Sequence, residues 1–247
     1  MNWAPFIWFA VALSGLLLME RWIHRHLQGV ALLTVGDREA AVWLYALPLL
    51  PGVILHEASH ALSGLAVGAR VERISIMPAR VEGRIQLGFV SLEAAGLLQT
   101  IIIGLAPLVA GCIALLLIGY LALGLGEAGA ALTHGNWAAA WGDLIEATRA
   151  RNAWVWAYLI FAISNTMLPS SSDMRAWPVM LLFLGGVAGL VALLGLGPSL
   201  AATLGVALRW LAAVFALTLA IDAPFALAIF LVEQVLSRLR GVWVEYR

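Results

Sequence analysis

The residues able to do chemistry are concentrated in one stretch, Pro51-Gly-Val-Ile-Leu-His-Glu-Ala-Ser-His60. Spaced i, i+4 on a helix, His56 and His60 share one face a turn apart and can grip a single metal ion, with Glu57 beside them. In zinc hydrolases a His-Glu-x-x-His segment supplies two imidazole ligands and a carboxylate that takes a proton from the ion's water. The bland alternative is three polar residues at a helix end, satisfied by neighbours. With 5 His in 247 residues, chance produces this pattern in only about 0.004 of such chains. An ionisable group inside a membrane is also costly enough to mark function by default.

Two imidazoles leave a four-coordinate ion short of ligands; a carboxylate and a water would complete it. Three acids compete for the place. The apolar stretch from Ala153 to Leu168 runs into Ser164-Asn-Thr-Met-Leu-Pro-Ser-Ser-Ser-Asp173, where proline removes a donor and the serines compete for the backbone, so the helix is expected to unwind. With one crossing per apolar run, the helix bearing His56 and the helix bearing Asn165 cross in the same direction, and their later parts reach the same face. Topology therefore favours Asp173. Glu93 lies 33 residues after His60, beyond a β-like segment that makes its return uncertain. Asp222 precedes Ala223-Pro224, where it reads as the N-cap of a restarting helix.

The elements that must hold these groups sit in lipid. The chain is 63% hydrophobic and 11% charged with a mean hydropathy of +0.96, which indicates a polytopic membrane protein. Basic and acidic residues balance at 14 each, every basic one an Arg, so nothing suggests a nucleic-acid partner. Cys112 is the sole cysteine, which excludes an intrachain disulfide.

Trp3 to Met19 reads as a first span that is retained, since no basic segment or small-residue cleavage site marks it as a signal peptide. Glu20 to Glu39, with Arg21, His24, Arg25, His26, Asp37 and Arg38, reads as an interfacial connector. His24 and His26 diverge at i, i+2, which argues against a second metal site. Ala40 to Val67 is the second span and holds the motif, with Pro48 and Pro51 expected to bend or loosen it. Gly52, Ser59, Ser63 and Gly64 are small enough to admit a neighbouring helix.

From Arg70 to Val90 the period changes to two. Val81, Gly83, Ile85, Leu87 and Phe89 alternate with Glu82, Arg84, Gln86 and Gly88, which predicts a β-hairpin turning at Met77-Pro78-Ala79-Arg80. Ala94 to Gly124 is the third span, with Gly104-Leu-Ala-Pro107 in its interior. Glu127 to Arg151, carrying Trp137, Trp141, Leu144, Ile145 and Thr148, reads as an interfacial amphipathic helix. Ala153 to Leu168, Pro178 to Gly197 and Ser199 to Leu239 complete the spans, the last bent at Asp222-Ala-Pro224 or divided into a span and an interfacial helix. The expected fold is an all-α polytopic membrane protein of about six transmembrane helices, with a small β-hairpin between the second and third. It forms one domain over 1–247 whose core is 40–178. Eight Arg on the motif's side against six on the other favour a cytoplasmic placement of that side by the positive-inside rule. An integral protein of a bacterial or archaeal inner membrane is expected.

The segment His56-Glu57-Ala58-Ser59-His60, and Asn165 followed eight residues later by Asp173 with Pro169 between, resemble the site-2 proteases, a family of intramembrane zinc metallopeptidases. Gly104-Leu-Ala-Pro107 is similar to the Gly/Pro element of that family's intervening span. The resemblance covers about Leu44 to Trp177; Met174 stands where Gly is usual, and Pro169 is shifted by one place. It implies Zn²⁺ held by His56, His60 and Asp173, with Glu57 as general base. Asn165 would hydrogen-bond the substrate backbone or the developing oxyanion, capping of the broken fourth helix being its structural alternative. The implied reaction is hydrolysis of a peptide bond in or near a transmembrane segment of a membrane-protein substrate, with Ser170-Ser171-Ser172 as a water inlet. The competing reading is a non-proteolytic metal-binding membrane protein or metal-ion carrier. No chain of polar residues across the membrane and no inverted repeat supports a transporter.

Overall fold

The computed structural model describes residues 3–81, 84–93, 96–168, 182, 185–186, 189–190, 193–195 and 197–244. Within these the chain is mostly helical, and four stretches are long and apolar enough to cross a membrane: Ala4–Val35, Arg38–Ala66, Leu97–Ala122 and Ala201–Arg240. The expected fourth span is shorter, a helix of 12 residues at Ala153–Ser164, about 18 Å at the rise of an α-helix. The expected fifth, 178–197, lies largely outside the described residues.

Helix α1 (Ala4–Val35) continues through the segment expected to be a connector. Two of its polar side chains meet partners elsewhere in the fold: His24 contacts Tyr45 and the Asn165 carbonyl, and His26 pairs with Glu233, while Arg21 and Arg25 are exposed. The helix stops at Gly36, whose φ of 74° closes a left-handed cap that a residue with a Cβ adopts only at a cost. Asp37 then caps helix α2 (Arg38–Ala46), accepting from the backbone N–H groups of Glu39 and Ala40 at 3.0 and 2.8 Å. A 3₁₀ turn at Leu47–Leu49 leads into α3 (Leu50–Ala66). Pro48 and Pro51 occupy first-turn positions of the turn and of α3, where a missing N–H costs nothing. The expected second span is thus loosened just before the motif, at the 3₁₀ turn of Leu47–Leu49, while α3 itself is regular through His60.

Four short strands follow: β1 (Val71–Ser75), β2 (Ala79–Val81), β3 (Arg84–Gln86) and β4 (Phe89–Leu92). The outer pair, β1 and β4, and the inner pair, β2 and β3, are both antiparallel. Met77–Arg80 is thus not the turn of a simple hairpin, because Ala79 and Arg80 already pair with Gln86 and Ile85. The last described pair of this inner ladder is Val81 with Arg84. The alternation from Val81 to Phe89 is also interrupted at Leu87 and Gly88.

Helix α4 (Leu97–Leu117) ends in a π-helical turn at Ile118–Ala122. The Gln99 amide donates to the Val67 carbonyl at 2.7 Å, tying the start of α4 to the end of α3. The polar interlude forms two helices, α5 (Gly126–Thr133) and α6 (Trp137–Ala147). Gly135, at φ 74°, and the Asn136 cap separate them. Trp137, Trp141 and Ile145 lie exposed on α6.

After α7 (Ala153–Ser164) the last described helix is α8 (Gly197–Arg240). It runs unbroken through Pro224, so Asp222 is mid-helix and not an N-cap. Helices α1 and α8 lie side by side in parallel: Pro5 is against Gly205, Gly15 against Leu219, His26 on Glu233, and Arg240 donates to the Thr34 carbonyl at 2.7 Å. Two apolar clusters form the interior. One joins α1, α4, α7 and α8 around Leu16, Ile160 and Phe215, and the other joins α1, α2, α3, α7 and α8 around Ile23, Leu49 and Phe161.

Candidate metal centre

His56 and His60 project from α3 as the spacing requires, with ring centroids 4.8 Å apart and planes near perpendicular at 78°. Each ring is held by its Nδ1. That of His56 donates to the Thr166 carbonyl at 2.6 Å, and that of His60 to the Ile103 carbonyl at 3.0 Å. A carbonyl only accepts, so both Nδ1 atoms carry the proton, and in the neutral rings both Nε2 atoms carry the lone pair. These two Nε2 atoms lie 3.2 Å apart. Ligand nitrogens on a tetrahedral zinc, with Zn–N near 2.0–2.1 Å, sit about 3.3 Å from each other. The pair is thus oriented by backbone acceptors in the manner usual for metal-binding His, and its spacing fits one ion.

The two acceptors exist for reasons written in the sequence. In a helix the Ile103 carbonyl would receive the N–H of residue 107, but residue 107 is Pro, so that carbonyl is left for His60. Thr166 lies two residues past Ser164, the last of α7, where carbonyls lack helical donors. The earlier carbonyls there are served locally. The Thr166 hydroxyl donates to the Ala162 carbonyl at 2.9 Å, and Ser164 Oγ and the Asn165 amide donate to Phe161 at 3.0 and 2.8 Å. The carbonyls of Asn165 and Thr166 are then the ones that reach outward. Gly52, one turn before His56, allows this meeting of α3 and α7: a Cβ there would lie 2.1 Å from the Ala162 carbonyl oxygen.

Glu57 is buried next to the pair. Gly88 in the strand ribbon packs directly on it, since a Cβ at that position would fall 2.8 Å from both Cγ and Oε1 of Glu57. Ile85 and Leu87 pack against the cluster around Leu49 and Phe161. The ribbon therefore crosses the carboxylate and holds it from one side.

Of the three acids considered as third ligand, Asp173 lies outside the described residues, as does the Ser170–Ser172 inlet. Glu93 is exposed and faces Arg70 at 3.8 Å. Asp222 is buried and accepts from Ser164 Oγ at 2.9 Å. Among the described residues no set of three His, Cys, Asp or Glu side chains converges on one point.

Asn165 is almost wholly buried, and its amide donates to the Phe161 carbonyl and to Ser164 Oγ at 2.8 and 3.2 Å. Those bonds cap the end of α7. Its Oδ1 has no hydrogen-bond partner among the described residues, so the side-chain atom left over is an acceptor. An acceptor suits a substrate N–H and not a developing oxyanion.

The carbonyls of Ile103 and Thr166 carry no side-chain signature and escape a reading of residue types, although Pro107 was a signal for the first. Gly88 had one too, as a glycine inside a strand pattern often marks close backbone approach. No family model, curated protein or solved structure matches this chain.

Proposed function

We propose that this chain is an intramembrane zinc metallopeptidase that hydrolyses a peptide bond in or next to the transmembrane segment of a membrane-protein substrate. One observation carries the reading. Both imidazoles of a His-Glu-x-x-His helix turn have their Nδ1 atoms committed to backbone carbonyls, and their Nε2 atoms are set 3.2 Å apart. They stand on an apolar stretch long enough to span a bilayer, Arg38–Ala66, and His60 is held by a residue of a second, Leu97–Ala122.

In this account His56, His60 and Asp173 hold the ion. Bound Zn²⁺ supplies an acidified water and a polarised scissile carbonyl. Glu57, fixed by Gly88, takes the proton of the attacking water and returns it to the leaving amine. Asn165 meets a substrate backbone N–H through its remaining acceptor. An extended substrate adds to an edge of the ribbon, the way sheets commonly take peptides. Six crossings, an inner membrane of a bacterium or archaeon and a site nearer the cytoplasmic face complete the proposal.

The test combines metal analysis of the purified protein with cleavage of a transmembrane peptide. Wild type should carry about one zinc per chain and cleave. His56→Ala should lose both, and Glu57→Gln should keep zinc and lose cleavage. Membrane function that survives Glu57→Gln but not His56→Ala would instead favour a metal carrier or metal-stabilised scaffold.

A further inference from the structure

His24 is 32 residues before the motif and on a different helix, yet it reaches the turn that orients His56. Its Nε2 lies 2.7 Å from the Asn165 carbonyl, the residue next to Thr166. A carbonyl accepts, so Nε2 carries the proton and Nδ1 of the neutral ring must accept. Its partner there is the Tyr45 hydroxyl of α2, which therefore donates. The ring is held at both nitrogens, and its tautomer is set by chemistry. Glu20, one turn earlier on α1, lies 3.8 Å from the same Nε2.

The consequence lies in the adjacency of two carbonyls. Asn165 and Thr166 follow α7 in a non-helical turn, and each gives its carbonyl to an imidazole, the first to His24 and the second to His56. A third tie comes from α8, where Asp222 accepts from Ser164 Oγ. A helix end without such ties frays, and a frayed end would not hold a carbonyl on the ring of His56.

We infer that His24, fixed by Tyr45, is a positioning residue of the metal centre: it anchors the Ser164–Thr166 turn, and through the Thr166 carbonyl it sets the ring of His56. Partners of metal-binding His commonly govern affinity by 10–100-fold, and His24 acts one peptide unit further out. The inference rests on the proposed metal centre.

The experiment measures zinc affinity of the full chain in detergent or nanodiscs by chelator competition, with thermal stability of the metal-free protein as control. His24→Leu, which keeps bulk and removes the donor, should weaken zinc binding about 10–100-fold. His24→Gln, which can still donate to Asn165, should lose less than about 10-fold. Wild-type affinity in His24→Leu, or an equal loss in Leu and Gln variants, overturns the positioning role while leaving the metal centre standing. Should His24→Leu not fold, Tyr45→Phe carries the test. A loss of about 10-fold or more supports the inference, and any smaller change refutes it. Absence of stoichiometric zinc from the wild-type protein would sink both this inference and the metallopeptidase reading.

Discussion

Pro107 and His60 are joined through a carbonyl that neither owns. Pro107 lacks the N–H that would engage Ile103 within α4, and Nδ1–H of His60 takes that acceptor at 3.0 Å. A residue usually read as a helix defect thus provides a partner for a ligand on the neighbouring helix.

Replacing Pro107 tests that link with opposite signs. In Pro107→Ala the restored N–H competes for the Ile103 carbonyl, so α4 gains a bond and His60 loses its orientation. The metal-free protein should melt higher, since proline in a helix interior costs about 3 kcal/mol relative to alanine. Zinc affinity should fall about 10-fold. Thermal melts and chelator competition on the same preparation read both quantities; unchanged affinity would break the link.

Gly88 should matter to rate and not to metal. A methyl group there meets Cγ and Oε1 of Glu57 and the Ser75 carbonyl, all at 2.8 Å, so Gly88→Ala must displace the carboxylate or the ribbon. Loss of a positioned general base costs about 10²–10⁴ in rate. The prediction is a fall in kcat of at least about 100-fold with zinc stoichiometry unchanged, measured by peptide cleavage and metal analysis.

Gly52 should matter to both stability and metal. Its added Cβ would lie 2.1 Å from the Ala162 carbonyl oxygen and 2.2 Å from Thr166 Oγ1, so Gly52→Ala forces α3 and α7 apart. Overpacking of this kind costs about 1–3 kcal/mol, and the move withdraws the Thr166 carbonyl from His56. Gly142→Ala on α6 meets nothing within 4 Å and serves as the control, with stability within about 0.5 kcal/mol of wild type. Equal behaviour of the two variants in denaturation and zinc titration would contradict the α3–α7 contact.

The motif was legible because His56, Glu57 and His60 identify themselves by type and by helical spacing. Their supports are backbone carbonyls, and any residue presents one; only the absence of an N–H at Pro107 hinted at which would be available. By spacing alone, His24 reads only as a residue that diverges from His26 at i, i+2. Its partner carbonyl lies 141 residues away, a distance over which local spacing is silent. Polar side chains from Glu20 onward suggest the end of a span, yet α1 continues to Val35, with His24 partnered by Tyr45 of α2 and the Asn165 carbonyl after α7, and His26 by Glu233 of α8. The alternation from Val81 to Phe89 announced strands correctly in period. It missed the interruption at Leu87 and Gly88, where Gly88 packs on Glu57.

The most direct test of the metal centre is zinc-edge X-ray absorption on the purified wild-type chain beside His56→Ala and Asp173→Ala. The account predicts a wild-type shell containing two imidazole nitrogens at about 2.0–2.1 Å and carboxylate or water oxygens at about 2.0–2.2 Å. His56→Ala should show no stoichiometric zinc at the edge, and a ligand oxygen should be exchanged or lost in Asp173→Ala. A wild-type protein without zinc, or a zinc shell that is the same in all three, would contradict it.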